Sequence, residues 1–301
     1  MKTNQQIFEN VTNKIIEGLR QGIIPWHSGL KGTFGSLPVN MATKRSYSGI
    51  NILLLGLQDE YNYSLWGIFN QIRKLGGKVS KGEKSTEIVF SEFVIRNKQS
   101  KRKITFEQYK KLSKGEQQKY TIFRLLKINR VFNIAQTEGI DLKSLGIDQE
   151  INDPISECEN LLHSFKDQPS IHFRNSQPCY IPSLDKIQMP DLNAYESNAE
   201  FYGTLFHELV HSAGHPKRLN REGLKSNASF GSKTYSFEEL IAEIGACFLR
   251  TKCGIVSKSL DNSVAYINSW IKVLENDNTF IFKAASEAQK AFNFILNKEA
   301  L

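Results

Sequence analysis

The segment Thr204–His215 reads TLFHELVHSAGH: two histidines four residues apart, a glutamate beside the first, and a third histidine just past a glycine. On an α-helix, positions i and i+4 share a face, so His207 and His211 can aim both imidazoles at one ion. Glu208 is offset by one residue and borders that ion without binding it. This is the H-E-x-x-H arrangement, in which the histidines are ligands and the glutamate is the general base. Leu205, Phe206, Leu209 and Val210 supply the apolar faces that would fix the helix, and Gly214 is expected to let the chain turn sharply after it.

A tetrahedral catalytic zinc needs a third protein ligand and an open position for water. The best source is SFEELIAEIG (Ser236–Gly245), a helical segment with Glu239 and Glu243 four apart and Glu238 beside them. Carboxylates on a face that otherwise carries core residues need a partner. Glu239 is expected as third ligand and Glu243 as the acceptor of a ligand histidine's N–H; the reverse pairing, and His215 as a rival ligand, stay open. The bound ion would be Zn2+, with Mn2+ as the alternative. Zinc lowers the pKa of its water, and Glu208 would take the proton as water attacks a carbonyl and pass it to the leaving amine. Tyr235 is the candidate donor to the oxyanion; Tyr202 shares the histidines' helix and reads as core.

Such a site has to be held by packed helices, and the second half supplies them. A helix is expected from Ile155 to Phe165, short strands at Ser170–Arg174, Cys179–Ile181 and Lys186–Met189, then helices at about 197–213, 236–252, 261–275 and 278–297. The first half is different. Ile7, Val11, Ile15, Ile16 and Leu19 recur at helical spacing, and Gly22 and Pro25 end that helix. Further helices are expected from Gly49 to Leu57 and from Ser64 to Leu75, and strands from Lys84 to Ile95 and from Tyr120 to Asn133. The charged segment Arg96–Lys119 between those strands reads as an exposed hairpin tip or loop. The fold class is therefore α+β in two domains, with a boundary between Gly139 and Pro154: 1–145, and a mostly helical 150–301.

The chain has 301 residues and a net charge of +8, unevenly spread. Residues 1–140 hold 23 Lys and Arg against 10 Asp and Glu, a balance of +13, and the remainder is −5. That asymmetry points to a polyanion partner for the first half. No run approaches the roughly 18 uncharged apolar residues of a membrane span. The polar N-terminus shows no secretory signal and the four cysteines form no C-x-x-C pair, as in a cytoplasmic protein with reduced thiols. A single nucleic-acid strand is held by a basic groove and by rings on which bases stack. Trp26, Arg45, Tyr47, Lys81 and Lys84 are the candidate DNA contacts, and the lysine-rich 98–119 run reads as non-specific electrostatics.

Several separated motifs resemble one family. YIPSLDKIQMP (180–190), TLFHELVHSAGHPKRLNR, SFEELIAEIGACFL and AYINSWIKVLENDNTFIFKAASEAQKAFNFIL are similar to the zincin-like domain of ArdC-type antirestriction proteins. IIEGLRQGIIPW (15–26), YSGIN (47–51), LGGKVSKGEKSTEIVF (75–90) and VFNIAQTEG (131–139) resemble that family's single-stranded-DNA-binding domain. The resemblance implies a protein of a plasmid or conjugative element that binds single-stranded DNA and protects it from restriction. It also implies a peptidase-like domain similar to Spartan-type proteases, which act on DNA-associated proteins. By the same likeness His207 and His211 match the ligands, Glu208 the base and Glu239 the acidic ligand. Two departures stand out: His27-Ser28-Gly29-Leu30 follows Pro25-Trp26 where the family often places a second tryptophan, and HSAGH replaces HSTGH. Two other functions compete: a DNA-coating protein whose metal domain is structural and non-catalytic, and a general cytoplasmic metallopeptidase whose basic half binds an acidic protein.

Overall fold

The first helix, α1 (Asn4–Arg20), begins at a capping box in which the Thr3 side chain accepts from Gln6 N–H and the Gln6 side chain accepts from Thr3 N–H. Its buried stripe is Ile7, Val11, Ile15, Ile16 and Leu19, the residues that carry the helical period in the sequence. The computed structural model describes residues 2–27, 37–58, 61, 63–141, 145, 153–174, 177–224, 232–255 and 264–298.

After α1 come β1 (Val39–Asn40), α2 (Ile50–Gly56), β2 (Leu65–Gly67), α3 (Phe69–Lys74) and β3 (Lys78–Val79). The long β4 (Thr86–Asn97) leads through β5 (Lys103–Ile104), α4 (Phe106–Lys110) and α5 (Lys114–Gln117) into β6 (Tyr120–Asn133) and β7 (Thr137–Glu138). One sheet has the order β1-β2-β6-β4-β5, and β3 pairs separately with β7. One expectation is corrected. Ser64–Leu75 is not one helix: Leu65–Gly67 pairs with β1 and β6, and only Phe69–Lys74 is helical. Burial of Trp66 with Leu55, Ile88 and Val131 outweighs the local helical pattern. The 96–119 segment is the exposed tip of the β4–β6 hairpin, and it carries structure of its own, with β5 extending the β4 edge and two short capped helices following it.

The second half contains α6 (Pro154–Ser164), β8 (Ser170–Phe173), β9 (Cys179–Ile181), β10 (Lys186–Met189), α7 (Asn198–Ala213), α8 (Lys233–Cys253), α9 (Val264–Asn276) and α10 (Phe280–Ile295). The small sheet has the order β8-β10-β9, with β10 parallel to β8 and antiparallel to β9. Helices α7, α8 and α10 pack on one another, and β9 and β10 lie against α7. Most of the expected boundary, 142–144 and 146–152, lies outside the described residues. No helix among the described residues is long and apolar enough to cross a membrane.

One apolar cluster runs through both halves. Ile7, Val11 and Leu19 of α1 share it with Leu274 of α9 and with Phe280 and Ala284 of α10. Phe8 meets Phe282 edge-on at 4.7 Å, and Thr12 Oγ1 donates to the Asn278 carbonyl at 2.8 Å. Trp26 sits fully buried in this seam. Its ring lies edge-on to Trp270 at 6.0 Å, its Nε1–H donates to Tyr266 Oη at 3.1 Å, and its carbonyl accepts from Arg250 Nη2 at 2.8 Å. The expectation of a DNA-stacking Trp26 is therefore corrected: no face of the ring is open to a base, because the ring is a strut between the halves. Removing a buried tryptophan costs about 3–5 kcal/mol. Trp26→Ala should lower unfolding stability by that amount in a urea titration, whereas a surface platform would leave the midpoint unmoved.

Candidate metal centre

Helix α7 presents His207 and His211 one turn apart, and α8 crosses it closely. At Gly245 of α8 a Cβ would fall 2.7 Å from Val210 Cγ2 of α7, so only glycine allows this approach. The crossing brings Glu239 to the histidines. His207 Nε2 lies 3.5 Å from one Glu239 oxygen and His211 Nε2 lies 3.6 Å from the other. The two Nε2 atoms are 3.0 Å apart. These three side chains form the one group among the described residues whose donors could hold a metal, all within 4.8 Å of one another.

The donor set fits a tetrahedral divalent ion. Metal–nitrogen distances of 2.0–2.1 Å imply ligand–ligand separations of about 3.3 Å, and the observed spacings bracket that value. Two facing imidazole nitrogens cannot both be acceptors to each other, so the pair requires a proton or a cation between them. His211 can use its Nε2 lone pair because its Nδ1–H is committed elsewhere, to Glu238 Oε1 at 3.2 Å. Glu238 is itself clamped: Arg221 Nε donates to Oε2 at 3.0 Å and Arg221 Nη2 donates to Oε1. The same Nη2 donates to the Val210 carbonyl at 2.7 Å, which ties the clamp back to α7.

The charges follow. Burial works to raise the Glu238 carboxyl, but the hydrogen bonds from His211 and Arg221 overcome it and hold the pKa at about 2. Burial works to lower His207, yet its hydrogen bond with Glu239 and the charges of Glu243, Glu208 and Glu239 push it up to about 9.

Sequence reasoning placed the histidine-orienting carboxylate at Glu243, and the geometry corrects this to Glu238. Glu243 lies one turn beyond Glu239 and faces the first half, where His27 Nε2 is 3.8 Å from its Oε2. Burial would raise Glu243, but His27, followed by the charges of His207 and Arg250, keeps it at about 2. The chain turns after α7 at Gly214, whose φ is an ordinary −78°. Glycine is needed there because a Cβ would lie 2.6 Å from the Arg221 guanidinium carbon. His215 is buried away from the ligand group, its Nδ1 accepting from Lys217 N–H at 3.2 Å. Tyr235 lies inside α8 rather than before it; its hydroxyl is raised by burial, then by the charge of Glu239, its hydrogen bond to Glu239 and the charge of Glu208. Arg221 and His27 carried no signal in the sequence, since each acts through a contact distant along the chain. Of the remaining DNA candidates, Arg45, Lys81 and Lys84 are exposed on turns flanking β1 and β4. Tyr47 is half-buried against the Trp66 cluster, its hydroxyl accepting from Asn40 Nδ2 at 3.2 Å.

Residues 5–132 match the family model for the N-terminal domain of anti-restriction factor ArdC, and 157–287 match that for zincin-like metallopeptidases. The metal-free crystal structure of antirestriction protein ArdC from plasmid R388 is 29% identical, with a TM-score of 0.74, covering 97% of this chain and 99% of that one. Its Mn(II)-bound structure is 30% identical, with a TM-score of 0.69, covering 96% and 97%. The chain belongs to the ArdC antirestriction family. ArdC-like sequence also occurs inside larger proteins. DNA primase TraC of Escherichia coli is 34% identical over 298 residues, 96% of this chain but 27% of TraC, so the chain spans about a quarter of that relative. Protein y4eC of Sinorhizobium fredii (strain NBRC 101917 / NGR234) is 29% identical over 96% of this chain and 91% of its own length. The family's zincin-like fold and the Mn(II) ion of the plasmid relative support a divalent metal at the ArdC-family centre.

Two outcomes follow. Glu238→Gln should weaken metal binding ten- to a hundredfold in a chelator competition, because the partner that orients His211 loses its charge. Below pH 9 the His207 imidazole of the metal-free protein is protonated, so metal and proton compete. Affinity should rise with pH until about 9, with proton release detected by calorimetry in buffers of different ionisation heat. Because the folded pKa lies above the ordinary 6.5, this group's stabilisation of the metal-free fold is complete below about pH 6.5 and is lost as pH climbs past about 9.

Proposed function

We propose that this protein coats single-stranded DNA of a plasmid or conjugative element in the recipient cytoplasm with its basic N-terminal domain, residues 1–145. We further propose that a zinc-dependent peptidase centre in residues 150–301 hydrolyses proteins associated with that DNA. The observation that carries the peptidase reading is the convergence of His207, His211 and Glu239 within 4.8 Å, beside Glu208 on the same helix. A zinc ion bound there, or manganese in its place, lowers the pKa of its water toward neutrality.

The protein's own groups then account for a hydrolysis. Glu208 accepts a proton from the attacking water as the new C–O bond forms at the peptide carbonyl. It returns that proton to the amide nitrogen as the C–N bond breaks, so the amine leaves neutral. Tyr235, already directed at the Glu239 carboxylate, donates to the carbonyl oxygen as charge gathers on it. Strand β9 forms the edge of the small sheet, and its Cys179 thiol is pushed up first by burial and then by the charge of Glu208. An extended peptide added to that edge would lie alongside the base. The likeness to ArdC supports a DNA partner for the first half, whose balance of +13 supplies the complementary charge.

Glu208→Gln separates the readings. The variant should keep its metal and its oligonucleotide affinity, and lose cleavage of a DNA-bound protein substrate by roughly a hundredfold or more. Full protection of DNA by Glu208→Gln, with no cleavage by the parent protein, would leave the metal centre a structural role. Cleavage that persists in the variant would remove Glu208 from the chemistry.

A further inference from the structure

The outer part of the β4–β6 ribbon is unlike the rest of the surface. The two strands pair without interruption from Thr86↔Val131 to Asn97↔Tyr120. Near the base, Ile88, Val89 and Leu126 are buried in the core. Further out the ribbon turns large apolar groups to solvent: Phe93 is 50% exposed, Phe106 42% and Phe123 39%. Phe93 is paired across the ribbon with Arg124, and Phe123 with Val94, so the two rings point to opposite faces. Each is attended by a cation. The Arg124 guanidinium lies 5.1 Å from the Phe93 ring centre, Arg96 lies 5.8 Å from Phe123, and Lys110 Nζ lies 4.7 Å from Phe106. Phe106 in turn stacks on Phe93 at 5.9 Å.

The charge is equally distinctive. Residues 96–127 hold eleven Lys and Arg against two Glu, a balance of +9, more than the net charge of the whole chain. All of these cations but Arg96 and Lys127 are exposed. Lys127 pairs with Glu92, whereas no ion pair to Arg96 or Arg124 occurs among the described residues. The buried Arg96 Nε likewise has no hydrogen-bond partner among them. A cation with no carboxylate, held over an exposed ring, is the combination that grips a backbone phosphate while a base covers the ring.

We propose that the single strand wraps over this ribbon, meeting Phe93 and Arg124 on one face and Phe123 and Arg96 on the other, with the rings as stacking platforms and the arginines as phosphate contacts. The assignment rests on the single-stranded-DNA reading given above and replaces Trp26 as the source of stacking. A second copy of this chain is disfavoured as occupant, because two surfaces of +9 would repel. A duplex is disfavoured because its bases are already stacked on one another and offer the rings no free face.

Anisotropy of a fluorescein-labelled oligothymidine, read at low and at moderate salt, tests this. Phe93→Ala and Phe123→Ala should each weaken binding roughly five- to a hundredfold with the salt slope unchanged. Arg96→Ala and Arg124→Ala should each reduce that slope by about one. Melting temperature and metal content should stay at the parent values in the ring variants, which exposes a loss due to misfolding. If the parent protein binds and all four variants bind as tightly, the strand lies elsewhere and the ribbon assignment is wrong while the DNA reading stands. If the parent binds no oligothymidine at low salt, both fall. If unlabelled duplex competes as well as single strand, stacking on the rings is refuted.

Discussion

The close crossing of α7 and α8 is the constraint on which the site depends. One helix carries both histidines and the other carries Glu239, which faces both, and Glu238, which holds His211. The two can share an ion only if their backbones come nearer than a side chain at Gly245 would permit, against Val210. That proximity places Glu239 opposite the Nε2 atoms and, one residue earlier on α8, Glu238 behind His211. Taking the Glu238 charge out of water is expensive, and Arg221 makes it tolerable by pairing with both of its oxygens. The same guanidinium fills the space that Gly214 leaves open, so the chain leaving α7 is shaped around the clamp that supports the ligand.

The halves are joined at that same place. Arg250 of α8 holds the Trp26 carbonyl, Trp26 and His27 both reach the Tyr266 hydroxyl, and His27 faces Glu243. The segment that links α1 to the sheet therefore lies against the acidic face of α8, one turn from Glu239. With α1 packed on α9 and α10, the first half is not a bead on a string but a contributor to the packing that fixes the centre. Under the proposed function, this seam would fix the geometry between the half that holds DNA and the half that carries the metal centre.

Much of this was legible in the sequence, for reasons that differ residue by residue. His207 and His211 could be read because helical spacing alone brings them together. The helices and the small strands around them follow from apolar periods of 3.6 and 2. Glu238 and Glu243 could not be told apart, because each lies near Glu239 on a helical wheel and the choice depends on which side the partner helix approaches. Arg221 and His27 are invisible to any local pattern. Trp26 misled because a proline-flanked tryptophan in a turn looks exposed until Trp270, 244 residues later, closes over it. Trp66 misled in the opposite way: its neighbours have a helical pattern, but pairing with β6 and burial against Val131 made them a strand. The rings on the ribbon are ordinary members of a strand pattern, and only the pairing register reveals that they stand in solvent beside unpaired arginines.

The most direct test of the central claim is the divalent metal content of the purified protein and of three single variants, by elemental analysis after exhaustive dialysis. The parent protein and His215→Ala should each hold one ion per chain, while His211→Ala and Glu239→Ala should hold essentially none. Full metal retention in Glu239→Ala, or its loss in His215→Ala, would contradict the ligand set.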